Sequence, residues 1–417
     1  MAYYHIWTIG CQMNKAESER LGSYLEQQGY QATEAAEEAD LIVLNSCVVR
    51  HSAENRALSR LNSLKTLKRS RPNLAIAVTG CLVDSEVGKL EKRFPHVDLF
   101  FEPGALPDLM AWVGRRGDAL PRHPSPSTLV PIIQGCDNFC SYCIVPYRRG
   151  RERSRPVEEI VAEVEELVGR GAREVSLVGQ NVNSYGHDLP GRPDLAQLLT
   201  RLNEIAGLWR IRFLTSHPKD VSPEFALAMA RLEKVCPHLS LPLQAGDDDI
   251  LRAMRRGYTG EQYRQLIGRL RQAIPGVAIS TDVIVGFPGE TEEQFQRTFD
   301  LVAEMRCDTV HVAAYSPRPG TLASREMADS VPAAEKKRRR QRIEALEEGI
   351  AAEINAGLRG KAVKVLVEGK RRGRWYGRTP TAKLVFFSHG AELRGQLMGV
   401  RVDKTNPWWL EGTAFEE

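Results

Sequence analysis

The sequence predicts an α/β protein in three parts: an N-terminal doubly wound, flavodoxin-like parallel sheet, a central partial (β/α)6 barrel, and a small antiparallel β-barrel at the C-terminus. Three observations carry this. Apolar runs alternate with helical patterns at βα spacing over the first 118 residues. The alternation resumes after a break rich in proline and glycine. Past residue 357 the helices give way to short strands punctuated by glycine. With 417 residues, 42% hydrophobic and 26% charged, the chain can bury sizeable cores without disulfide staples.

In the first part, Tyr3–Gly10, Ala39–Ser46, Leu74–Gly80 and Val97–Phe101 read as strands, and Leu41-Ile42-Val43-Leu44 has the unbroken apolar character of a strand covered on both faces. Helical patterns lie near Asn14–Gln28, near Ser52–Lys68 and from Ser85. Residues 115–127, with Gly117, Pro121, Pro124 and Pro126, read as a linker. Six strands follow: Leu129–Ile133, Glu174–Gly179, Ile211–Thr215, Leu239–Leu243, Val277–Val285 and Thr309–Tyr315. Six βα units in about 200 residues suit an α/β barrel. A charged helix over 332–356 is expected to bridge to the tail, where Ala362–Glu368, Leu384–Phe387, Leu397–Asp403 and Trp408–Gly412 read as strands. Domains are expected at 1–118, 122–353 and 356–417.

No apolar run is long enough to span a membrane, and the N-terminus lacks the charged-then-apolar pattern of a signal peptide, so a cytoplasmic protein is expected. In a reducing compartment, eight cysteines point to metal or catalytic roles before disulfides. The net charge of +4 is uneven: residues 361–405 carry a net of +8 and the other 372 sum to −4. A basic tail on a near-neutral body suggests an anionic partner, although a solvated surface reads the same way from charge alone.

Cys136, Cys140 and Cys143 form C-x-x-x-C-x-x-C just after a strand. A structural zinc site needs four closed ligands, and no fourth of suitable spacing is nearby. Three thiolates instead suit a 4Fe–4S cluster with one open iron, which can bind a small molecule. Cys11, Cys47 and Cys81 stand directly after three successive strands, at the sheet rim where open α/β folds bind ligands. They can converge on a second cluster, the competing reading being three independent buried cysteines. Cys236 and Cys307 have no such partners and read as structural.

The run Cys136 to Arg155, with Val145-Pro146-Tyr147 and Arg149-Gly150, resembles the signature of the radical S-adenosylmethionine (SAM) methylthiotransferase family. Gly179-Gln180-Asn181-Val182-Asn183, Ser216-His217-Pro218, Leu241-Pro242-Leu243-Gln244, Gly286-Phe287-Pro288-Gly289-Glu290-Thr291 and Tyr315-Ser316-Pro317-Arg318 are similar to its further motifs. Gly10-Cys11-Gln12-Met13-Asn14 and Leu44-Asn45-Ser46-Cys47 are similar to the MiaB branch, and Gly377-Arg378-Thr379 with Lys383-Leu384-Val385 resembles a TRAM domain. The resemblance covers essentially the whole chain.

It implies two 4Fe–4S clusters and SAM. One SAM serves as radical source and one as methyl donor, for adding a methylthio group to carbon 2 of isopentenyladenosine beside a tRNA anticodon. No side chain is basic enough to deprotonate that aromatic carbon at neutral pH, so radical chemistry is the physical answer. The six paired cysteines are the expected cluster ligands. Gln180, Asn181, Ser216, Gln244, Gly286 and Glu290, at the carboxyl ends of barrel strands, are the expected SAM-binding residues. Gly286 and Gly289 would admit close backbone approach. His217 reads as a structural hydrogen bonder, and no residue is assigned as a catalytic acid, base or nucleophile.

Lys370, Arg371, Arg372, Arg378 and Lys383 are the expected RNA-binding residues, among Trp375, Tyr376 and Phe386, with Phe387 and Trp409 expected in the tail's core. The anticodon stem-loop is the expected partner, with flavodoxin or ferredoxin as electron donor and the enzyme a monomer. Two relatives share the architecture, one acting on threonylcarbamoyl-adenosine in tRNA and one on an aspartate of a ribosomal protein. A reading of another class is a non-catalytic, metal-containing RNA-binding protein.

Overall fold

A computed structural model describes residues 2–49, 51–83, 87–103, 109, 112 and 124–415. Most of the expected linker, including the 118 and 122 boundaries, lies outside the described residues, as does Ser85. The chain divides into two compact units. The first is Met1–His123 with Gln134–Asp137 and Cys143–Glu152; the second is Pro124–Ile133, Asn138–Tyr142 and Arg153–Glu417. Cys136 and Cys143 therefore belong to the first unit and Cys140 to the second.

In the first unit five parallel strands stand in the order Tyr30–Ala32, Ala2–Thr8, Leu41–Ser46, Ala75–Gly80, Leu99–Phe100. In chain order that is 2-1-3-4-5, the flavodoxin-like sequence of a doubly wound sheet. All six residues of Leu41–Ser46 are buried, and their alternation shows why. Leu41 and Val43 pack with Tyr24 and Leu25 of the helix Gln12–Gln27. Ile42 and Leu44 pack with Ala57, Leu61 and Leu64 of the helix His51–Ser70 on the other face. The edge strand Tyr30–Ala32 is short and mostly exposed, without the apolar run that marks a strand in sequence.

The second unit begins with two three-stranded parallel sets. Ser127–Pro131, Glu174–Val178 and Arg210–Phe213 form one, and His238–Ser240, Ala278–Val285 and Thr309–Ala314 the other. The Ile211–Val235 bridge and the Ser216 N–H donated to Ser240 O at 3.2 Å join them into one open barrel wall. A single hydrophobic core runs through both sets. Three outer helices start on reciprocal capping boxes, Asp194 with Gln197, Thr259 with Gln262 and Thr291 with Gln294.

The tail is a closed five-stranded barrel in the order Ala362–Arg371, Arg374–Arg378, Leu384–Ser388, Leu410–Phe415, Leu397–Thr405. Its first hairpin turns on Arg372 and Gly373, both left-handed at φ 49° and 80°, as a two-residue loop matched to strand twist requires. Trp375 and Phe387 are its buried aromatics, with Val365, Val385, Val400 and Leu410. Trp409, expected there, is only partly buried. The helix Ala333–Ala356 leads into this barrel, and its Asn355 amide donates to the carbonyls of Asn406 and Pro407 at 2.8 and 2.9 Å.

Candidate metal centre and cofactor site

Cys11, Cys47 and Cys81 follow three strands that are neighbours in the parallel sheet, so they share its carboxyl rim. Glycine brings the backbone together there. A Cβ on Gly10 would lie 2.5 Å from Cys47 Cβ, and one on Gly80 would lie 2.2 Å from Ser46 O. Gly80 is left-handed at φ +91°, and the next residue, Cys81, donates its N–H to Ser46 O at 2.8 Å. Cys11 stands at the N-cap position of the helix Gln12–Gln27. Its sulfur is 3.2 Å from Asn14 Oδ1, and the fully buried Asn14 donates Nδ2 to Asn45 Oδ1 at 2.7 Å and to Ser46 O at 2.8 Å.

Arg149 completes this cluster. Its Nε donates to Cys81 Sγ at 3.2 Å and its Nη2 to Asn14 Oδ1 at 3.4 Å, while Nη1 pairs with Glu17 Oε1 at 2.7 Å. Burial pushes the Cys81 thiol up to about 11, and the guanidinium pulls the other way. Without further positive charge the thiol stays protonated; a bound metal supplies that charge.

Around the second set, Cys136 donates its N–H to Gly150 O at 3.2 Å. Cys140 is buried, and its sulfur accepts from Arg256 Nη1 at 3.4 Å. Arg256 also donates to Tyr258 Oη at 3.1 Å and Pro242 O at 3.1 Å. Among the described residues this fully buried cation has no carboxylate partner. One of its N–H groups faces the Cys140 sulfur, and an anionic cluster held there would supply the counter-charge that the protein does not. Among the described residues no three His, Cys, Asp or Glu side chains are gathered closely enough for a single metal ion. A cubane sets its thiolates farther apart than one ion does.

At the carboxyl ends of the barrel strands, Asn181 Oδ1, both amide atoms of Asn183, Ser216 Oγ, His217 Nε2, Gln244 Oε1 and Glu290 Oε1 are buried with no hydrogen-bond partner among the described residues. Each such atom costs roughly 1–3 kcal/mol unless a ligand or water satisfies it. The backbone is strained at the same rim: Thr215 and Gln244 are left-handed at φ 74° and 71°. Asn181 is held from its other side by Asp220 Oδ2 at 2.7 Å. Burial, with Arg256 and Lys219 nearby, pulls His217 down to about 2, so its ring is neutral and Nδ1 accepts the Lys219 N–H. Gln180, half-buried, precedes this ring of atoms in the chain.

Two expected cofactor residues carry other duties as well. Glu290 Oε2 accepts from Gly286 N at 2.6 Å and from Arg339 Nη1 at 2.8 Å, leaving only Oε1 open. The expected ligand approach over Gly286 is corrected in part: a Cβ there would meet Lys336 Cγ at 2.3 Å, so a lysine stem fills that space.

On the tail, Arg371 and Arg372 are exposed at the hairpin tip, Lys370 Nζ lies 5.0 Å over the Trp375 ring, and Arg378 lies 3.5 Å from Glu368. Tyr376, Phe386 and Trp409 form a row with 6.2 Å between successive ring centres, and Arg374 stands 5.3 Å over Phe386. Lys383 departs from expectation. Its Nζ is 2.7 Å from Asp308 of the large barrel and the side chain is 11% exposed, so in this structure it pairs across the joint between the two barrels. Arg149, Glu17 and Arg256 were not singled out as functional by their sequence. Arg149 lies in the Cys136–Arg155 run that resembles the family signature, whereas Arg256 has no local signal at all.

Comparison with known proteins identifies the family. The chain matches the radical SAM superfamily over residues 130–302, the uncharacterized protein family UPF0004 over 3–102 and the TRAM domain over 358–415. It is 55% identical over 413 residues to a tRNA-2-methylthio-N(6)-dimethylallyladenosine synthase of Dehalococcoides mccartyi, covering 99% of this chain and 98% of that protein. The chain belongs to this synthase family. A synthase of the same name from Chloroflexus aurantiacus is 49% identical over 422 residues, covering 98% of this chain and 91% of the relative. Among solved structures, the radical SAM methyltransferase TsrM of Kitasatospora setae, with cobalamin and a 4Fe–4S cluster bound, superposes with a TM-score of 0.57 at 15% identity. That match covers 78% of this chain and 74% of TsrM and shows the shared fold. As a member of the synthase family the chain is a radical SAM transferase. No helix among the described residues is long and apolar enough to cross a membrane.

Proposed function

We propose that this protein converts isopentenyladenosine next to the tRNA anticodon into its 2-methylthio derivative, with SAM and two 4Fe–4S clusters. The observation that carries the reading is a buried arginine on one sulfur of each cysteine set, Arg149 on Cys81 and Arg256 on Cys140, in a chain 55% identical to a named synthase. When bound, an open-iron cluster supplies reductive cleavage of SAM and a second holds the sulfur to be transferred.

The chain's own residues do the rest. Cys136, Cys140 and Cys143 hold the first cluster, and Cys11, Cys47 and Cys81 the second. Asn181, Ser216, Gln244 and Glu290, with Gln180 and Gly286 beside them, bind SAM, and their open polar atoms support that role. His217, kept neutral by burial, accepts or donates a hydrogen bond without bringing a charge to the rim. Lys370, Arg371, Arg372 and Arg378 neutralise RNA phosphates, and the Tyr376–Phe386–Trp409 row offers faces on which unpaired bases stack. The functional parts run over 1–118, 122–353 and 356–417. The protein works in the cytoplasm as a monomer and takes electrons from a flavodoxin or ferredoxin.

The test is nucleoside mass spectrometry of tRNA from a bacterium lacking its own methylthiotransferases, with and without this gene. The reading requires the methylthio-isopentenyl product to appear as isopentenyladenosine falls. Appearance of the threonylcarbamoyl product would overturn the substrate while keeping the chemistry.

A further inference from the structure

Each cysteine set has one sulfur bonded to a buried guanidinium, but the two guanidinium groups differ in their counter-charge. Arg256 meets Cys140 with no carboxylate beside it among the described residues. Arg149 meets Cys81 while its Nη1 is 2.7 Å from Glu17 Oε1 and its Nη2 is 3.3 Å from Glu17 Oε2. The Arg149 side chain is 1% exposed and that of Glu17 11%, so solvent screens this pair little. The potential of an iron–sulfur group follows its net surrounding charge and the hydrogen bonds to its sulfurs.

We infer that Glu17 and Arg149 act together as positioning residues that set the charge around the cluster on Cys11, Cys47 and Cys81. Arg149 orients the Cys81 sulfur through an N–H bond, and Glu17 cancels the positive charge that this bond would otherwise bring. The N-terminal cluster thereby stays harder to reduce than Arg149 alone would make it, while Arg256 eases reduction at Cys140.

The same arginine ties the two cysteine sets along the chain. Arg149 ends the short helix Val145–Arg149, six residues after Cys143, and the next residue, Gly150, accepts the Cys136 N–H at 3.2 Å. Gly135 leaves no room for slack, since a Cβ there would lie 2.0 Å from Arg151 O. A shift at Arg149 is therefore felt by Cys136 on one side and Cys81 on the other.

The inference rests on the proposed second cluster, and the experiment separates the two. Full-length protein with Cys136, Cys140 and Cys143 replaced by alanine is reconstituted with iron and sulfide, so that one cluster is read alone. About four irons per chain are expected; no iron would bring down the cluster reading, and this inference with it. In that background Glu17→Gln, Arg149→Met and the double variant are titrated by electron paramagnetic resonance at controlled potential. Glu17→Gln should keep its iron and shift the midpoint to more positive potential. Arg149→Met should shift it negative, and the double variant should fall between the two. Equal midpoints in all four proteins would overturn the inference. So would loss of iron in Glu17→Gln with the fold intact by circular dichroism, because that would make Glu17 a purely structural residue.

Discussion

Arg256 and Cys140 lie 116 residues apart in the chain, yet the guanidinium of the first donates to the sulfur of the second at 3.4 Å inside the barrel core. Leaving a buried group without its hydrogen-bond partner costs roughly 1–3 kcal/mol, and about 1.4 kcal/mol already changes a rate tenfold. Arg256→Met is therefore expected to lower SAM cleavage by about tenfold or more. Arg256→Lys keeps the charge and should recover part of it. The check is 5′-deoxyadenosine release under dithionite with iron content measured in parallel.

Replacing Cys11, Cys47 and Cys81 together by alanine should leave about four of eight irons per chain and spare SAM cleavage, while methylthio transfer is lost. Iron analysis with product mass spectrometry reads both. An unchanged iron content would remove the second cluster.

The tail's basic residues divide by what they touch. Lys383→Ala, which breaks the pair with Asp308, should lower the melting temperature and leave RNA affinity unchanged. Replacing Lys370, Arg371 and Arg372 by alanine should weaken binding of an anticodon stem-loop. The salt-dependence slope should fall by about 2, at roughly 0.7 per lost phosphate contact to single-stranded RNA. Fluorescence anisotropy across a salt series separates the two variants.

His217 gives stability a pH dependence of known sign. Its pKa falls from 6.5 unfolded to about 2 folded, so the unfolded chain takes up a proton that the folded one refuses. The stabilisation is fully present above pH 6.5 and is lost as pH falls. Between pH 7.5 and 5.5 this one group contributes about 1.4 kcal/mol. His217→Gln should flatten the fall in thermal stability over that range by the same amount, as seen by calorimetry of the metal-free protein.

Much of the fold was legible because burial leaves a local trace. Leu41–Leu44 shows its double cover as an unbroken apolar run, and each of Cys11, Cys47 and Cys81 announces its rim position by following a strand pattern. Tyr30–Ala32 left no trace because it lies at the sheet edge with little to bury. Arg374–Arg378 is hidden in the sequence because its outward residues, two of them charged, mask a strand whose inward positions are Trp375 and Gly377. At the site, the sulfurs were visible and their cations were not. Arg256 is placed by a tertiary contact that no local spacing encodes. For Lys383 the sequence shows a charge without showing Asp308 opposite it.

The two barrels of the second unit meet through Arg210 and Arg212, which donate to the carbonyls of Arg378, Lys364, Pro380 and, with Thr379, close a set of four bonds. Both arginines are also backed by Glu174. A tail on a loose tether would present its cargo at every angle and leave the choice of nucleotide to chance collision. Bolted side chain to backbone, it becomes a gauge block: the RNA face proposed for the tail would stand at a set span from the open polar atoms at the strand ends, and that span would measure out the nucleotide presented.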